Sequence, residues 1–279
     1  MRKKLYFLCL MVGLLVLGAC KTEFEKIRTS GDPKLLLDTA NAYFEEGEYQ
    51  KAQTLYELIL PVYRGKRELE DIYYNYAYTY YNLGSYILAS YYFDNFSNTF
   101  GNSPRKEEID FMAAYSNYQL SPSFRLDQQY TNQAINQLQN FINTYPNSER
   151  LSDANALIDE LRKKLEQKAF DSGILYYDIR QYASAIQALE NLLKDFPETS
   201  RVAEVRYYIV KSEFEYAENS IVERQIERYS LVIDYAKQFV RKHGRTEYVN
   251  EVKTILKKAE LKLKTIEKDD RYKIKSTVY

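Results

Sequence analysis

From Pro33 almost to the C-terminus, apolar residues recur at three- and four-residue spacings, with Tyr, Leu and Ala supplying most of them. That period stacks them on one face of a helix, so the chain is expected to be helical throughout, interrupted by short turns. Ser30-Gly31-Asp32-Pro33 reads as the first helix start, with Asp32 as cap and Pro33 in the first turn. The beginning of the chain follows another pattern. Arg2, Lys3 and Lys4 precede Leu5 to Leu17, an uncharged and largely apolar run of 13 residues. A helix needs about 20 such residues to cross a bilayer, so this run suits the core of a secretory signal.

The helical pattern repeats itself. Gly47-x-Tyr49-x-x-Ala52-x-x-x-Tyr56 recurs 37 residues later as Gly84-x-Tyr86-x-x-Ala89-x-x-x-Phe93. Leu36, Ala40 and Tyr43 correspond to Tyr73, Ala77 and Tyr80 at the same offset. Small residues at Ala40, Ala52, Ala77 and Ala89 mark close approaches of two helices, and aromatics at Tyr43, Tyr56, Tyr80 and Phe93 fill the gap to the next pair. This resembles the tetratricopeptide pattern, a helix–turn–helix unit of about 34 residues. Later units are more degenerate: Ala134, Leu138, Phe141 and Pro146; Ala185, Leu189, Leu192 and Pro197; Val232, Ala236 and Phe239. Ser121 to Tyr130 and Glu218 to Arg228 break the register and are expected to be longer turns. The fold expected is an all-α superhelix of about five units, closed by a capping helix from Glu247 to Lys268.

The apolar run ends in Leu17-Gly18-Ala19-Cys20, which resembles a bacterial lipobox. It implies cleavage before Cys20 and lipid on that residue, so Cys20 is the expected lipidation site. The domain plan is a signal peptide over 1–19, a lipidated tether over 20–32, the repeat domain over 33–268 and a frayed tail over 269–279. With Cys9 removed and Cys20 acylated, no disulfide forms, and stability must come from packing. Lys21 after the cysteine favours transfer to the outer membrane, by resemblance to enterobacterial lipoproteins. Composition excludes more than it offers. One His and two Cys leave little for a metal site, no cofactor or metal is expected, and no phosphate loop, nucleophile elbow or zinc-protease motif occurs. The balance of 39 basic against 39 acidic groups argues against a nucleic-acid binder.

One segment is more specific than a generic repeat. Phe124-Arg125-Leu126-Asp127-Gln128-Gln129-Tyr130-Thr131 leads into Ala134-Ile135, then Phe141 and Tyr145-Pro146-Asn147-Ser148-Glu149. With Asp195-Phe196-Pro197-Glu198-Thr199-Ser200 and the lipobox, this string resembles the BamD (YfiO) family, tetratricopeptide lipoproteins of the outer-membrane β-barrel assembly machinery. Leu126, between Arg125 and Asp127, departs from the family's Arg-Asp-Gln element. The resemblance implies a non-enzymatic scaffold, lipid-anchored in the outer membrane and facing the periplasm. Its implied partners are an Omp85 (BamA-type) assembly protein, docked through POTRA domains, and unfolded outer-membrane proteins.

Two surfaces are candidates for those roles. Tyr74, Tyr78 and Tyr81 lie on one line of the second unit's first helix, with Phe44 and Tyr115 on the equivalent lines before and after it. Tetratricopeptide proteins turn this line to their concave side, where tyrosine rings suit an extended peptide with aromatic side chains; the competing reading is that these rings fill gaps between helices. The resemblance places partner docking in the C-terminal repeats, from Phe239 to Lys268, with Phe239, Lys253, Lys257 and Lys258 as its candidates. Lys237 to Tyr279 holds 13 basic and 6 acidic residues, a balance of +7 that supplies a physical reason, although a solvated helix face reads the same way. Three other identities stay open: a pilotin-like tetratricopeptide lipoprotein, a glycan- or nutrient-binding lipoprotein, and a muramidase on a helical scaffold. The Arg125–Ser148 string, the absence of Trp and the lack of room for a catalytic domain count against them in turn.

Overall fold

The computed structural model describes residues 23–268. Among them are twelve helices and no strand: α1 Glu23–Arg28, α2 Pro33–Glu45, α3 Tyr49–Ile59, α4 Leu69–Asn82, α5 Tyr86–Thr99, α6 Lys106–Leu120, α7 Gln129–Thr144, α8 Leu151–Asp178, α9 Tyr182–Asp195, α10 Val202–Glu218, α11 Val222–His243 and α12 Val249–Lys268. From α2 onward they form five helix–turn–helix pairs followed by one capping helix, the all-α tetratricopeptide arrangement expected from the repeats. The signal span, Cys20 and the 269–279 tail lie outside the described residues.

Local chemistry sets the helix ends. The Asp32 carboxylate accepts from the backbone N–H of Lys34 at 3.0 Å and of Leu35 at 3.3 Å, and Pro33 opens α2. Between the helices of the first two pairs the chain must pass through the left-handed region, and Gly47 and Gly84 do so at φ +78° and +72°. The fourth pair makes the same turn with Arg180, at φ +62°. Gly-x-Tyr has become Arg180-x-Tyr182 there, which is why this repeat looks weaker in the sequence than it is.

Packing follows the expected scheme. Ala40, Ala52, Ala77 and Ala89 are fully buried at helix crossings, with Tyr56 and Phe93 filling the space beside them. In the fourth pair Gly173 takes the small-residue role, since a Cβ there would lie 2.6 Å from Cδ2 of buried Leu189.

The chain divides into two compact units. The first holds the described residues up to Pro122 with Gln128–Asp159; the second holds Ser123–Asp127 and the residues from Glu160 on. In the first, one core joins Leu36, Leu55, Tyr56, Ile59, Ile72 and Tyr76, and another joins Ala89, Phe93, Phe96 and Ile109. In the second, Phe170, Leu189, Leu192 and Val205 form one core, and Tyr229, Val232, Phe239, Val252 and Ile255 the other.

Two features differ from expectation. Glu23–Arg28, within the span read as a tether, is helical, and its Phe24 and Ile27 pack on the first core. Two apolar residues at i and i+3 suffice to dock one turn of helix, a signal too short to stand out from a polar stretch. The break at Glu218 to Arg228 is not a long turn: α10 ends at Glu218 and α11 begins at Val222. Its first two turns were hidden because Ile221, Val222 and Ile226 face solvent, so the inward apolar period is missing. Arg228 anchors this stretch, donating to the Tyr216 hydroxyl at 2.8 Å with its guanidinium 3.6 Å from the ring centre. The break from Ser121, by contrast, is a loop up to Gln128, pinned by hydrogen bonds of Thr131 with Ser121 and with Gln128, each 2.7 Å.

Candidate functional site

In the first unit the tyrosine line forms a connected ribbon of rings across α4 and α6. Successive centroids are 4.8 Å apart from Tyr74 to Tyr78, 6.4 Å to Tyr81 and 6.3 Å on to Tyr115. Tyr115 then stacks on Phe111 at 5.9 Å and on Tyr118 at 5.5 Å. Tyr74, Tyr78, Tyr81 and Tyr115 are all half-buried. Their inner edges rest on the second core, as where Tyr78 meets Phe93 edge-on at 5.0 Å, while the outer part of each ring stays accessible. Helix and core fix the rings before any ligand arrives, so little side-chain freedom remains to be lost on binding.

The hydroxyls divide into two kinds. Tyr74 and Tyr78 both donate to Oε1 of Glu108 on α6, at 2.9 and 2.5 Å. Burial first, and the Glu108 carboxylate next, push both phenols above their ordinary range, so each remains a proton donor at neutral pH. The hydroxyls of Tyr81 and Tyr115 make no hydrogen bond among the described residues and are the polar tips open to a ligand. At one end of the ribbon Arg105 lies over the Tyr74 ring at 4.5 Å while paired with Asp71 at 2.7 Å. Arg150 lies over Phe111 at 4.9 Å. The site is thus a row of ring faces bordered by guanidinium groups, suited to apolar and aromatic side chains of an extended segment.

Phe44 belongs elsewhere. It meets Tyr49 at 5.6 Å and Tyr56 at 6.5 Å within the first pair, and none of its ring contacts among the described residues reaches α4. Between it and α4 lies a polar step, in which the Tyr56 hydroxyl donates to Asn41 at 2.7 Å and Asn75 donates to that hydroxyl at 3.1 Å.

In the second unit Lys253, Lys257 and Lys258 are exposed on α12 and form no ion pair among the described residues. Their neighbour Lys262 pairs with Glu218 at 3.1 Å, and Lys237 with Glu260 at 3.5 Å. Phe239 does not join them. It is 1% exposed, packed in the core beneath α12 with Val252, Ile255 and Ala259, so its expected docking role is corrected to a packing one. It occupies the inward position of α11 that the repeat period assigns to an aromatic, and an inward aromatic is not available to a partner.

Residues 30–205, well over half of the chain, match the family described as YfiO, outer membrane lipoprotein. The chain belongs to that family. Among curated relatives it is 35% identical over 63 residues to the outer membrane protein assembly factor BamD of Helicobacter pylori, a stretch covering 23% of this chain and 29% of that protein. The match therefore spans under a third of the relative's length. Among solved structures, the TPR domain of P58(IPK) aligns over 91% of this chain and 73% of that chain, with a TM-score of 0.41 and 15% identity. A TPR repeats protein from Bacteroides fragilis aligns over 82% and 98%, with a TM-score of 0.37 and 13% identity.

For this member of the YfiO family, sequence reasoning found the ring line but missed Glu108, Arg105 and Arg150, which organise it. A signal was present. Tyr74–Glu108 and Asp71–Arg105 are each separated by 34 residues, about one helical turn less than the 37-residue offset of the first units, and so are Asn41–Asn75 and Gln167–Arg201. Consecutive first helices lie side by side, so complementary polar residues one turn short of the repeat offset are candidate inter-repeat bonds.

Proposed function

We propose that this chain is a lipid-anchored, non-enzymatic scaffold for the assembly of β-barrel proteins into the outer membrane. The observation that carries the reading is membership of the outer membrane lipoprotein family over residues 30–205. The relative named as an assembly factor supports the direction of that role. No helix among the described residues is long and apolar enough to cross a membrane, and in this reading acyl chains on Cys20 supply the attachment.

In this reading the ribbon of Tyr74, Tyr78, Tyr81 and Tyr115 receives unfolded barrel segments. Barrel strands alternate apolar and polar residues and carry aromatic girdles, so an extended strand offers rings on one side. Ring faces on the ribbon take those side chains, and the hydroxyls of Tyr81 and Tyr115 take backbone groups. The basic face of α12 docks the Omp85-type assembly protein, and the unpaired lysines steer an acidic partner surface toward it.

The test is affinity purification of the lipidated protein from outer membranes, with identification of the membrane proteins that accompany it. An Omp85-type protein is expected, and reversing Lys253, Lys257 and Lys258 to Glu should reduce its recovery and flatten the salt dependence of association. Recovery of a secretin or a glycan transporter in its place would refute the assignment.

A further inference from the structure

Exposed apolar side chains are unevenly placed in the first unit. Leu83, Ile87, Leu88 and Tyr91, between 37 and 57% exposed, cluster around the Gly84 turn: Leu83 just after α4, the other three in the first two turns of α5. The inward side of α5 is taken by Ala89, Phe93 and Phe96, so these four point away from the core. Because α3 packs antiparallel between α2 and α4, the latter two run parallel, and the Gly47 and Gly84 turns lie on one edge of the unit. The described chain begins at that edge as well. Phe24, in the first turn of α1, packs 6.0 Å from Tyr43 in the last turn of α2. Only Lys21 and Thr22 separate Glu23 from Cys20, a reach of about 10 Å even fully extended.

We propose that the edge bearing the Gly47 and Gly84 turns rests on the lipid surface, with Leu83, Ile87, Leu88 and Tyr91 entering the interfacial layer of the bilayer. The inference rests on Cys20 carrying the anchor, as in the preceding reading. A lipid anchor three residues from a docked helix holds this edge at the headgroups, with no linker long enough to turn the unit over. Tyrosine suits the interface, with its ring in the acyl boundary and its hydroxyl among headgroups. The first pair presents Glu45, Glu46 and Glu48, all exposed, at the same edge. The contact is therefore apolar and gains nothing from anionic lipid. Leu35, Leu58 and Val62 are also exposed, but Leu35 lies at the start of α2, Leu58 at the end of α3 and Val62 in the turn after it, remote from where the chain leaves toward Cys20.

The sequence contains no Trp, so one introduced Trp reports alone. Lipidated protein carrying Ile87→Trp or Leu58→Trp is placed on phosphatidylcholine vesicles with brominated acyl chains, and flotation of each sample reports anchoring. Both substitutions fall at solvent-facing positions. The Ile87→Trp emission should be quenched several-fold more than that of Leu58→Trp and shifted to the blue, and adding phosphatidylglycerol should leave it unchanged. Floating protein with equal, weak quenching at both positions overturns the membrane-facing edge while the lipoprotein reading stands. Quenching that appears only with phosphatidylglycerol overturns the apolar mode of contact. Protein that fails to float overturns both readings.

Discussion

Tyr78 separates the two uses of the aromatic ribbon. Its ring meets Phe93 at 5.0 Å and Tyr74 at 4.8 Å, and its hydroxyl reaches Glu108 at 2.5 Å. Tyr78→Phe removes one hydrogen bond to a carboxylate that retains Tyr74 as a donor. The cost should fall at the lower end for a charged acceptor, about 1–2 kcal/mol of stability. Tyr78→Ala removes a ring that is half-buried, so it should cost about 2–3 kcal/mol, less than the 3–5 kcal/mol of a fully buried aromatic. Binding should split differently. If the ring face reads the ligand while Glu108 holds the hydroxyl, Tyr78→Phe keeps affinity for a peptide of alternating aromatic and polar residues. Tyr78→Ala loses about 1–2 kcal/mol of it, roughly ten-fold in Kd. Urea unfolding followed by circular dichroism gives the first quantity, and anisotropy titration of a labelled peptide gives the second. Equal loss of affinity in both variants would assign recognition to the hydroxyl. Native affinity in folded Tyr78→Ala would leave the ribbon as packing alone.

Gly173→Ala gains up to about 1 kcal/mol of helix propensity but drives a methyl to 2.6 Å from buried Leu189, an overpacking cost of about 1–3 kcal/mol. Net loss of stability is expected, and a higher melting temperature would contradict the packing argument. Arg180→Gly relieves a left-handed φ of +62° at an exposed position and should stabilise by up to about 1 kcal/mol after the greater freedom of glycine in the unfolded chain is counted; a lower denaturation midpoint would refute this. Glu213 is buried beside Glu190, with Oε2 unpartnered among the described residues, and burial raises its carboxyl to about 7. The folded state then holds a proton that the unfolded state has released, so stability should fall as pH rises from about 4.5 to about 7. Glu213→Gln should be stabilising by roughly 1–3 kcal/mol at pH 8 and close to neutral at pH 4.5, and a pH-independent difference between the two proteins would exclude this carboxyl as the cause.

The repeat architecture was legible because each pair needs the same few things from its sequence. Ala40, Ala52, Ala77 and Ala89 are small because backbones approach there, and Gly47 and Gly84 turn with positive φ. Such requirements are local and recur at a fixed offset, so they leave a period in the chain. Where a repeat met the same requirement with another residue, as Arg180 does, the period weakened although the turn was kept. Start signals were equally local, and the Asp32 cap lies where Asp-Pro placed it. The docked helix Glu23–Arg28 and the first turns of α11 escaped notice because each lacks a long inward apolar stripe.

Which aromatics would be available to a ligand was not written in the period. Phe44 and Tyr81 occupy equivalent positions one 37-residue offset apart, yet Phe44 meets Tyr49 and Tyr56 within its own pair while Tyr81 joins Tyr78 and Tyr115 in the ribbon. Phe239 and Lys253 were joined by the family resemblance and the charge balance, and packing set one beneath α12 and the other on its surface. A helix period specifies which side of its own axis a residue occupies. Whether that side meets another helix, a carboxylate or solvent depends on residues about 34 positions away, and only the packed pairs bring them together.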